Sequence, residues 1–418
     1  MKISLIIPSR NNLKYLKFAY TNIRKCLDSN YELVLLDDAS TDDTWKWLNE
    51  IKKTDNNVVI YRNEGPDRVG HTVLYDKGVE LSTTDVFGIF HADMIASPNY
   101  IKNLLKHLKE KTVVSATRIE PPLHPGGVEK IVKNFGTEPE EFDYNEFLNF
   151  VKESETKFDN KTTNGVFAPW LMYKKDFLSI GGHDKKVFAP MELEDSDLFN
   201  RFLLAGYNLI QSRDSFVYHM TCRGSRFKDG VKIESQIQLN DGTVWYKPKD
   251  SEEYLTLRNL KFREWWRKWH MDVLHDENLL PIVYDRYDIG FIIKNCSDQL
   301  LYILEPWCDK IYIEKSKSLE NYIINEEKYS KFNIKNKIKN ITDDKTNDVL
   351  LEFDGNNFNR DHINFIKTLP VILSNTNDIG EFEFDIFKIK ISSLTKYNLD
   401  LIKSEGGEIG YYKKLLIE

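Results

Sequence analysis

The fold is decided by the stretch ISLIIPSRNNLKYLKFAYTNIRKCLDSNYELVLLDDAST, which covers residues 3–41. It opens with an apolar run typical of a buried strand. An amphipathic run from Leu13 to Leu27, typical of a helix, follows, and then a second apolar run, YELVLLDD. Continuous apolar strands joined by a helix predict a β–α–β unit in a parallel sheet. Each strand is followed at once by polar residues.

The same alternation continues to about residue 100. A helical pattern, TWKWLNEIKK, precedes the strand VVIYRNEG, and a short helical pattern from Leu74 to Leu81 precedes DVFGIFHADM. Ligands of open parallel sheets bind beyond the carboxyl ends of the strands, where SRNN, DDAS and HADM all fall. These three polar strand ends are therefore predicted to share one rim.

Later segments predict additions to this unit. Residues 121–161 read as a loop and helix inserted over the rim, and residues 165–184 as a strand and short helix that end at Gly181-Gly182. FVYHMTCRGSRF reads as a strand that runs into a basic loop. We predict a catalytic domain at 1–230, a connecting region at 231–281 and a smaller α/β or α+β domain at 282–418.

The connecting region contains a Trp-rich segment at 254–275. Phe262, Trp266, Trp269 and Val273 recur at helical spacing and predict one apolar face. Because basic residues flank that face, peripheral contact with a membrane surface is one alternative. A helix packed across the catalytic domain, or bridging to the next, is the favoured interpretation.

The C-terminal domain is predicted to contain five strand runs: DIGFII, KIYIE, NDVLLEF, LPVILS and FDIFKIKI. Trp307 and Cys308 read as core, and no catalytic set is evident. Acceptor binding, dimerisation as a homo-oligomer and docking to a partner are all open for this domain.

Composition narrows the class of protein. The 418 residues are 41% hydrophobic and 13% aromatic, which excludes a disordered chain, and the net charge of −7 argues against nucleic-acid binding. The four cysteines lie far apart without a CxxC, so a reduced, cytoplasmic setting is expected. Residues 1–8 do not resemble a signal peptide, and no apolar run approaches a membrane span. A soluble or membrane-peripheral protein is expected.

An unusual density of carboxylates lies in MELEDSDLFNR. Glu192, Glu194, Asp195 and Asp197 fall within six residues and lead into an apolar helical pattern. Acids favoured by the dipole at a helix N-terminus are one explanation. A general base presented beside a cleft is the other, and it is favoured when other polar clusters converge on it.

Two strand ends offer further candidates. Asp37 and Asp38 follow a buried strand, where a carboxylate can accept the imide N–H of uracil or a ribose hydroxyl; helix capping by this segment is the alternative. His91 and Asp93 lie two apart on a segment predicted to be extended, which would project both to one side, as suits a divalent cation. His219 at another strand end adds an imidazole. A site of Asp and His ligands accepts Mn²⁺ more readily than an all-oxygen site does.

The basic loop supplies two guanidinium groups. Arg223 and Arg226 could clamp a diphosphate bidentately, although a solvated basic loop has the same composition. The chain has no GxGxxG, GxxxxGK[ST] or GxSxG, so dinucleotide, P-loop and hydrolase-elbow interpretations lack support.

Taken together, SLIIPSRNN, LVLLDDASTDDT, YRNEG, FHADM and GGHDKKVFAPMELEDSDLFNRFLLAGY resemble the family 2 glycosyltransferases with a GT-A fold. The resemblance covers about residues 1–225 and implies a Rossmann-like mixed sheet flanked by helices. It also implies a nucleotide-sugar donor, a glycan or glycoconjugate acceptor and a divalent metal, Mn²⁺ or Mg²⁺.

The resemblance also implies roles for individual residues. Asp195 would be the catalytic base, with Glu194 before it in the family's acidic pair, and Asp93 and His219 would bind the metal. The donor-binding set would be Pro8, Ser9, Arg10, Asn11, Asp37, Asp38, Asn63, His91, Arg223 and Arg226.

Two positions depart from the family pattern. His91 stands where the family's D-x-D begins with Asp, and Val69-Gly70-His71 replaces the usual Ala-Arg-Asn triplet. The resulting hypothesis is an inverting, metal-assisted transferase that uses a UDP- or GDP-sugar. A sugar-1-phosphate nucleotidyltransferase and a non-catalytic nucleotide- or sugar-binding module are the alternatives.

Overall fold

Two α/β sheets organise the protein. The computed structural model describes residues 2–27, 30–124, 126–224, 226–227, 232–238, 244–314, 316–402, 404–405 and 408–409. The strands are β1 (Ile3–Ser9), β2 (Glu32–Asp38), β3 (Val58–Asn63), β4 (Val86–Ile89), β5 (Met94–Ala96), β6 (Thr112–Glu120), β7 (Lys130–Val132), β8 (Thr162–Asn164), β9 (Trp170–Tyr173), β10 (Asn208–His219), β11 (Ile233–Gln238), β12 (Val244–Pro248), β13 (Ile289–Lys294), β14 (Lys310–Ile313), β15 (Ile338–Asn340), β16 (Val349–Asp354), β17 (Gly380–Phe384), β18 (Phe387–Ile391), β19 (Ser404–Glu405) and β20 (Glu408–Ile409).

The helices lie mostly between these strands. They are α1 (Leu13–Cys26), α2 (Thr44–Thr54), α3 (His71–Leu81), α4 (Tyr100–Leu105), α5 (Tyr144–Phe158), α6 (Lys174–Ser179), α7 (Lys185–Phe188), α8 (Glu194–Leu204), α9 (Glu252–Trp269), α10 (Asp298–Leu304), α11 (Lys317–Glu327), α12 (Ile334–Lys337), α13 (His362–Ser374) and α14 (Asn398–Ile402).

The first sheet has the order β3-β2-β1-β4-β9-β6-β10-β5, with β7 beside β6 and β8 beside β10. β1 to β4 run parallel to one another, whereas β9 is antiparallel to both of its neighbours. Helices cover both faces, and separate apolar clusters fill the space on each side. The predicted fold class, a mixed sheet flanked by helices, is confirmed.

The amphipathic pattern of α1 shows how sequence places a helix on this sheet. Leu16, Ala19 and Ile23 recur at spacings of three and four and are buried, because they form one stripe on the helix surface. Lys17 and Thr21 between them face solvent, whereas Asn22 is buried and donates a hydrogen bond to the carbonyl oxygen of Ala96. The predicted helix from Leu13 to Leu27 matches α1 to within one residue.

The second sheet has the order β15-β14-β13-β16-β18-β17, parallel except for β18 and β17. One strand prediction is wrong here, and a second is right only for part of its length. LPVILS is the end of α13, because Ile366, Leu369 and Leu373 recur at helical spacing and bury one stripe against the core. FDIFKIKI is split by a turn at Asp385 and belongs to the β17–β18 hairpin.

The Trp-rich segment forms α9, which packs between the two sheets and ends at Trp269, before Val273. The predicted single apolar face is wrong. Trp265 and Trp269 are buried, while Phe262 and Trp266, two residues of that predicted face, are partly exposed. The basic residues predicted to flank that face are also buried, so the helix does not offer them to a bilayer surface: Lys261, Arg263, Arg267 and Lys268. Arg258, nearer the start of the helix, is exposed.

Buried ion pairs fix α9 on both sides. Lys268 Nζ lies 2.8 Å from Asp184 and also contacts Asp197 on α8, while Arg267 Nη2 lies 2.6 Å from Glu305 of the second domain. Burial opposes ionisation of Glu305, but Arg267 and other cations hold its pKa well below the usual range. Taking one partner away would leave a buried charge uncompensated, so these pairs lock the orientation of the two domains.

None of the helices in the described part of the chain combines the length and apolar character of a membrane span. The domain boundaries at 230 and 281 remain predictions, and residues 228–231, 239–243 and 410–418 lie outside the described residues.

Candidate active site

The predicted rim consists of the carboxyl ends of β1, β2 and β4, which lie side by side as parallel strands, and the end of β3 adjoins that of β2. Ser9 is paired with Asp37 across neighbouring strands, and Asp38 with Asn63. Arg10 donates a hydrogen bond to the carbonyl oxygen of Asp38. Pro8, the second-last residue of β1, is in register with Leu36 of β2. The ends of the first three strands are thus joined by hydrogen bonds.

Asn11 completes this connection. Its side-chain oxygen accepts a hydrogen bond of 2.7 Å from the backbone N–H of Thr41, and its own N–H donates to Ser40. Asn11 has a φ of 49°, in the left-handed region that Asn tolerates better than most residues. The loop after β1 is therefore held against the loop after β2.

The two aspartates of the rim have different environments. Asp38 accepts hydrogen bonds from Asn63 at 2.8 Å and from the backbone N–H groups of Val69 and Gly70 at 2.9 Å. Asp37 accepts one from Ser40, but its second oxygen is buried without a hydrogen-bond partner, 3.4 Å from Arg62 Nε. Of the two, Asp37 retains an unused acceptor, while Asp38 holds the segment that leads to α3.

His91, Asp93 and His219 form a cluster beyond the end of β4. Their potential ligand atoms all lie within 4.8 Å of one another. His219 Nε2 is 3.5 Å from Asp93 Oδ1, and the rings of His91 and His219 are 5.5 Å apart. The predicted extended geometry is wrong, because Met94 N–H bonds back to the His91 carbonyl and residues 91–94 form a turn. The turn brings His91 and Asp93 to His219, which is paired with Met94 across strands β5 and β10.

The protonation states of the cluster follow from burial and charge. Burial, aided by His219, lowers the pKa of His91 to about 3, so this imidazole is neutral at physiological pH. Burial would raise the pKa of Asp93, but His219 outweighs it and the pKa is lowered. Burial likewise opposes charge on His219, yet Asp93 and Glu120 raise its pKa to about 9. The carboxylates of Asp93 and Glu120 therefore stabilise a positive charge that lies between them.

Glu120, at the end of β6, is a site residue that the sequence analysis missed. Its Oε1 lies 2.8 Å from His219 Nδ1, which directs Nε2 of the same ring toward Asp93. A metal-binding histidine commonly donates its other N–H to a carboxylate in this way. The neutral imidazole of His91, the imidazole of His219 once a metal displaces its Nε2 proton, and the Asp93 carboxylate fit a divalent cation. Nitrogen donors favour Mn²⁺ over Mg²⁺.

The acidic cluster begins α8, as the sequence predicts. The two residues before the helix, Glu192 and Leu193, have φ of 83° and 67°, a costly left-handed pair that the surrounding packing must hold in place. Gly70 is part of that packing. It has a φ of 84°, and a Cβ there would approach within 2.0 Å of the Pro190 carbonyl oxygen. The unusual Val69-Gly70-His71 triplet therefore lets the chain pass close to the acidic cluster.

Glu194 and Asp195 are separated by their surroundings. Glu194 is buried, contacts His71 Nε2 through one oxygen, and has no hydrogen-bond partner for the other. Burial would raise the pKa of Glu194, but His71 outweighs it and the pKa is lowered. Asp195 keeps 44% of its side chain exposed, so it is the carboxylate that a substrate can reach.

The environment of Asp195 suits a base that works near neutral pH. The enclosing walls of the cleft and the neighbouring charge of Glu194 raise the pKa of Asp195 to about 6. His183 lies behind it, with Nε2 4.0 Å from Asp195 Oδ1 and Nδ1 2.7 Å from Asp76 Oδ1. His183 is completely buried, and its Nε2 has no hydrogen-bond partner among the described residues.

Tyr75 connects the two halves of the candidate site. Burial raises its pKa well above the ordinary value, and the charges of Asp195, Glu194 and Asp93 add to the effect. Its ring also stacks on His183, with centroids 6.0 Å apart. The acidic cluster and the His-Asp cluster therefore both lie near one buried hydroxyl.

The predicted arginine clamp is tied to other acids. Arg226 forms a two-point pair with Asp250, with one contact of 3.0 Å, and Arg223 lies 3.2 Å from Glu138. Arg118, which the sequence analysis missed, pairs with Glu120 at 3.5 Å and acts on both His91 and Asp195. The role of Arg223 and Arg226 in diphosphate binding remains a prediction.

Residues 4–178 match the family model described as Glycosyl transferase family 2. The N-terminal domain belongs to this family. The match begins in β1 and ends within α6, so it contains the rim and the His91 and Asp93 turn but not α8. The predicted family and its GT-A fold class are confirmed for this domain.

Curated relatives align with parts of the chain. A dolichyl N-acetyl-alpha-D-glucosaminyl phosphate 3-beta-D-2,3-diacetamido-2,3-dideoxy-beta-D-glucuronosyltransferase of Methanococcus voltae is 28% identical over 42% of this chain and 56% of its own length. A dolichol-phosphate mannosyltransferase of Pyrococcus furiosus is 32% identical over 26% and 30%, respectively. The chain thus spans about half, or less, of the length of these relatives.

Solved structures align with 52% of the chain at low identity. GalNAc-T7 with UDP, GalNAc and Mn²⁺ gives a TM-score of 0.41 at 16% identity, over 44% of its own chain. The mannosyltransferase PcManGT of Pyrobaculum calidifontis with GDP-Man and Mn²⁺ gives 0.37 at 19%, over 56% of its chain.

Proposed function

We propose that this protein transfers a sugar from a UDP- or GDP-sugar to a hydroxyl group of a glycan or glycoconjugate. The observation that carries the proposal is the nearness of a candidate metal cluster and an exposed carboxylate of raised pKa to the same buried Tyr75. The family match supports the reaction class. So do the names of the two relatives, a glucuronosyltransferase and a mannosyltransferase.

Asp195 is the proposed general base. Its pKa of about 6 keeps it ionised at neutral pH, yet basic enough to accept a proton from an attacking hydroxyl. Glu194 is held by His71 and does not compete for the acceptor. Because the proposal uses one carboxylate on the acceptor side and no covalent intermediate, the transfer is a single displacement that inverts the anomeric carbon.

The donor side is proposed to use the rim and the His-Asp cluster. His91, Asp93 and His219 would hold Mn²⁺ or Mg²⁺, and a bound cation would neutralise charge on the departing nucleoside diphosphate. The loop at Ser9, Arg10 and Asn11 and the unused oxygen of Asp37 would orient the nucleoside. Buried polar groups that lack partners, such as this oxygen, are frequent at functional sites.

Thermal unfolding of the purified chain with UDP, GDP, CDP and dTDP tests the donor assignment. Each nucleotide is measured with Mn²⁺, with Mg²⁺ and with chelator, because a ligand that binds the native state raises the unfolding midpoint. We expect a metal-dependent rise for UDP or GDP. Asp93→Ala should abolish the metal dependence, whereas Asp344→Asn, at an exposed carboxylate, should not.

Donor turnover separates the proposed reaction from its alternatives. Release of UDP or GDP that depends on a hydroxyl acceptor and yields an inverted anomer supports the proposal. Formation of a nucleotide-sugar from a sugar-1-phosphate would instead identify a nucleotidyltransferase. Nucleotide binding without turnover on a panel of glycan acceptors would leave a binding module.

A further inference from the structure

The C-terminal domain contains a cavity of about 750 Å³, remote in sequence from every residue assigned above. It lies between α13 and the β17–β18 hairpin and has a volume in the range of ligand-binding clefts. Its floor and walls are apolar: Phe365, Leu369, Ile372, Leu373, Phe382, Phe384, Ile389 and Ile391.

Large apolar side chains are left in contact with solvent at this cavity. Phe384 is 55% exposed, Ile372 44% and Phe382 39%. Phe384 stacks on Phe365 of α13, with centroids 4.9 Å apart, so the rings form one surface. A contiguous exposed apolar surface next to polar residues is typical of an interaction site.

The cavity opens at an unpaired sheet edge. In the part of the chain that the structure describes, β17 is the last strand of its sheet and is paired only with β18. An edge strand presents backbone N–H and C=O groups that can pair with a further strand. Phe382 and Phe384 alternate with Glu381 and Glu383, so an added strand would place every second side chain beside the phenylalanines.

The carboxylates that line the cavity have no Lys or Arg beside them in the described part of its lining. Asp361, Asp378 and Asp385 lie among the residues that line the cavity, and none of those described is Lys or Arg. The glutamates of β17 are already matched on the other side of the strand, where Glu381 faces Lys390 and Glu383 faces Lys388. The open edge offers the same glutamates to a second strand of lysines.

We propose that the β17 edge and the adjoining cavity bind an extended segment of a partner protein in which Lys or Arg alternates with large apolar residues. The segment adds a strand to the sheet, its apolar side chains enter the cavity and its basic side chains face Glu381 and Glu383. A second copy of this chain fits less well, because antiparallel pairing of β17 with itself brings Glu381 beside Glu383.

A labelled peptide of eleven residues with alternating Lys and Val, capped at both ends, tests the proposal on the full chain by fluorescence anisotropy. The same peptide with Glu in place of Lys is the matched probe. We expect a Kd of about 10 µM for the Lys peptide. The Kd for the Glu peptide should be higher by a factor of about ten or more.

Variants locate the binding. The double variant Glu381→Lys with Glu383→Lys should reverse the preference between the two peptides, and Phe384→Ser should weaken binding of the Lys peptide about tenfold. Glu314→Lys with Glu320→Lys makes the same change of charge at exposed positions elsewhere in the domain and should have no effect. Thermal unfolding establishes that each variant is folded.

Three results would overturn the proposal. One is Lys-peptide binding that responds equally to both charge-changing double variants or ignores Phe384→Ser, since the contact would then be non-specific. Another is a dimer, detected by light scattering, that Phe384→Ser dissociates, since the occupant would then be a second copy. The third is the absence of measurable binding by the folded wild-type chain, which would exclude a basic strand.

Discussion

The carboxyl ends of the parallel strands differ between the two domains. In the N-terminal domain they carry buried polar atoms without hydrogen-bond partners, among them Asp37 Oδ2, and the cleft beside them holds Glu194 Oε2 and His183 Nε2. In the C-terminal domain the polar groups at the corresponding ends satisfy one another. Lys294 pairs with Glu352 at 2.6 Å, and Asn295 donates to Asp354 at 3.0 Å.

Sheets of similar topology can thus differ in the polar groups that their strand ends leave without partners. Both sheets have parallel strands at their centre, yet the N-terminal rim retains a buried carboxylate oxygen, Asp37 Oδ2, that has no hydrogen-bond partner among the described residues. Unsatisfied buried groups cost free energy and persist where a ligand or a reaction uses them. A polar strand end is therefore informative only once its partners are known.

Of the predicted changes, Asp195→Asn should have the largest effect, and the effect is on catalysis by the N-terminal site. We expect sugar transfer to fall by about 10³-fold, within the range for loss of a general base, while nucleotide binding changes little. Steady-state kinetics of donor turnover measure the loss. Asp354→Asn, at a strand end of the C-terminal domain, is the matched control and should retain activity. A similar loss in both variants would contradict the distinction between the two rims.

Lys268→Ala tests how firmly the domains are joined. The change leaves Asp184 buried without its ion-pair partner and leaves Asp197 paired with Arg201 alone. It should destabilise the fold by about 3–5 kcal/mol, measured by denaturant unfolding. Lys367→Ala removes a partly exposed pair with Asp272 and should cost about 1 kcal/mol or less. Equal costs would show that the interface pair is not a special constraint.

His183→Phe examines the residue behind the proposed base. We expect kcat to fall about tenfold, because Asp195 loses a polar neighbour that favours its ionised form. The acid limb of the rate profile, which rises as Asp195 ionises near pH 6, should move to higher pH. His362→Phe removes a histidine bonded to Asp385 in the C-terminal domain and should leave the profile unchanged. A purely structural role for His183 would lower activity without moving the limb.

The smallest predicted effect concerns stability. The pKa of Asp195 is raised on folding, so its ionised form disfavours the native state, and stability is lost as pH rises through about 6. Asp195→Asn should therefore raise the unfolding midpoint by a few degrees at pH 8 and by less at pH 5. A midpoint that falls at pH 8 would show that the carboxylate is stabilised by its surroundings instead.

The sequence by itself determined the strand and helix order of the first hundred residues, the polar rim and the helix that starts at Glu194. These features depend on local periodicity and on the rule that parallel strands end at one edge, both of which a single chain displays. His91, Asp93 and His219 were also recognisable as candidates from their positions at strand ends.

Only the tertiary structure decided which groups meet across long separations in the chain. Nothing local links His71 to Glu194, Asp76 to His183 or Glu120 to His219, because these contacts depend on packing between distant elements. For the same reason LPVILS is helical although it contains strand-forming residues. Leu369 and Leu373 of this segment are buried because they lie on one face of α13. Arg267 and Lys268 of α9 likewise pair with buried acids. The sequence does not show this, because the partner of a charged side chain depends on how the chain folds.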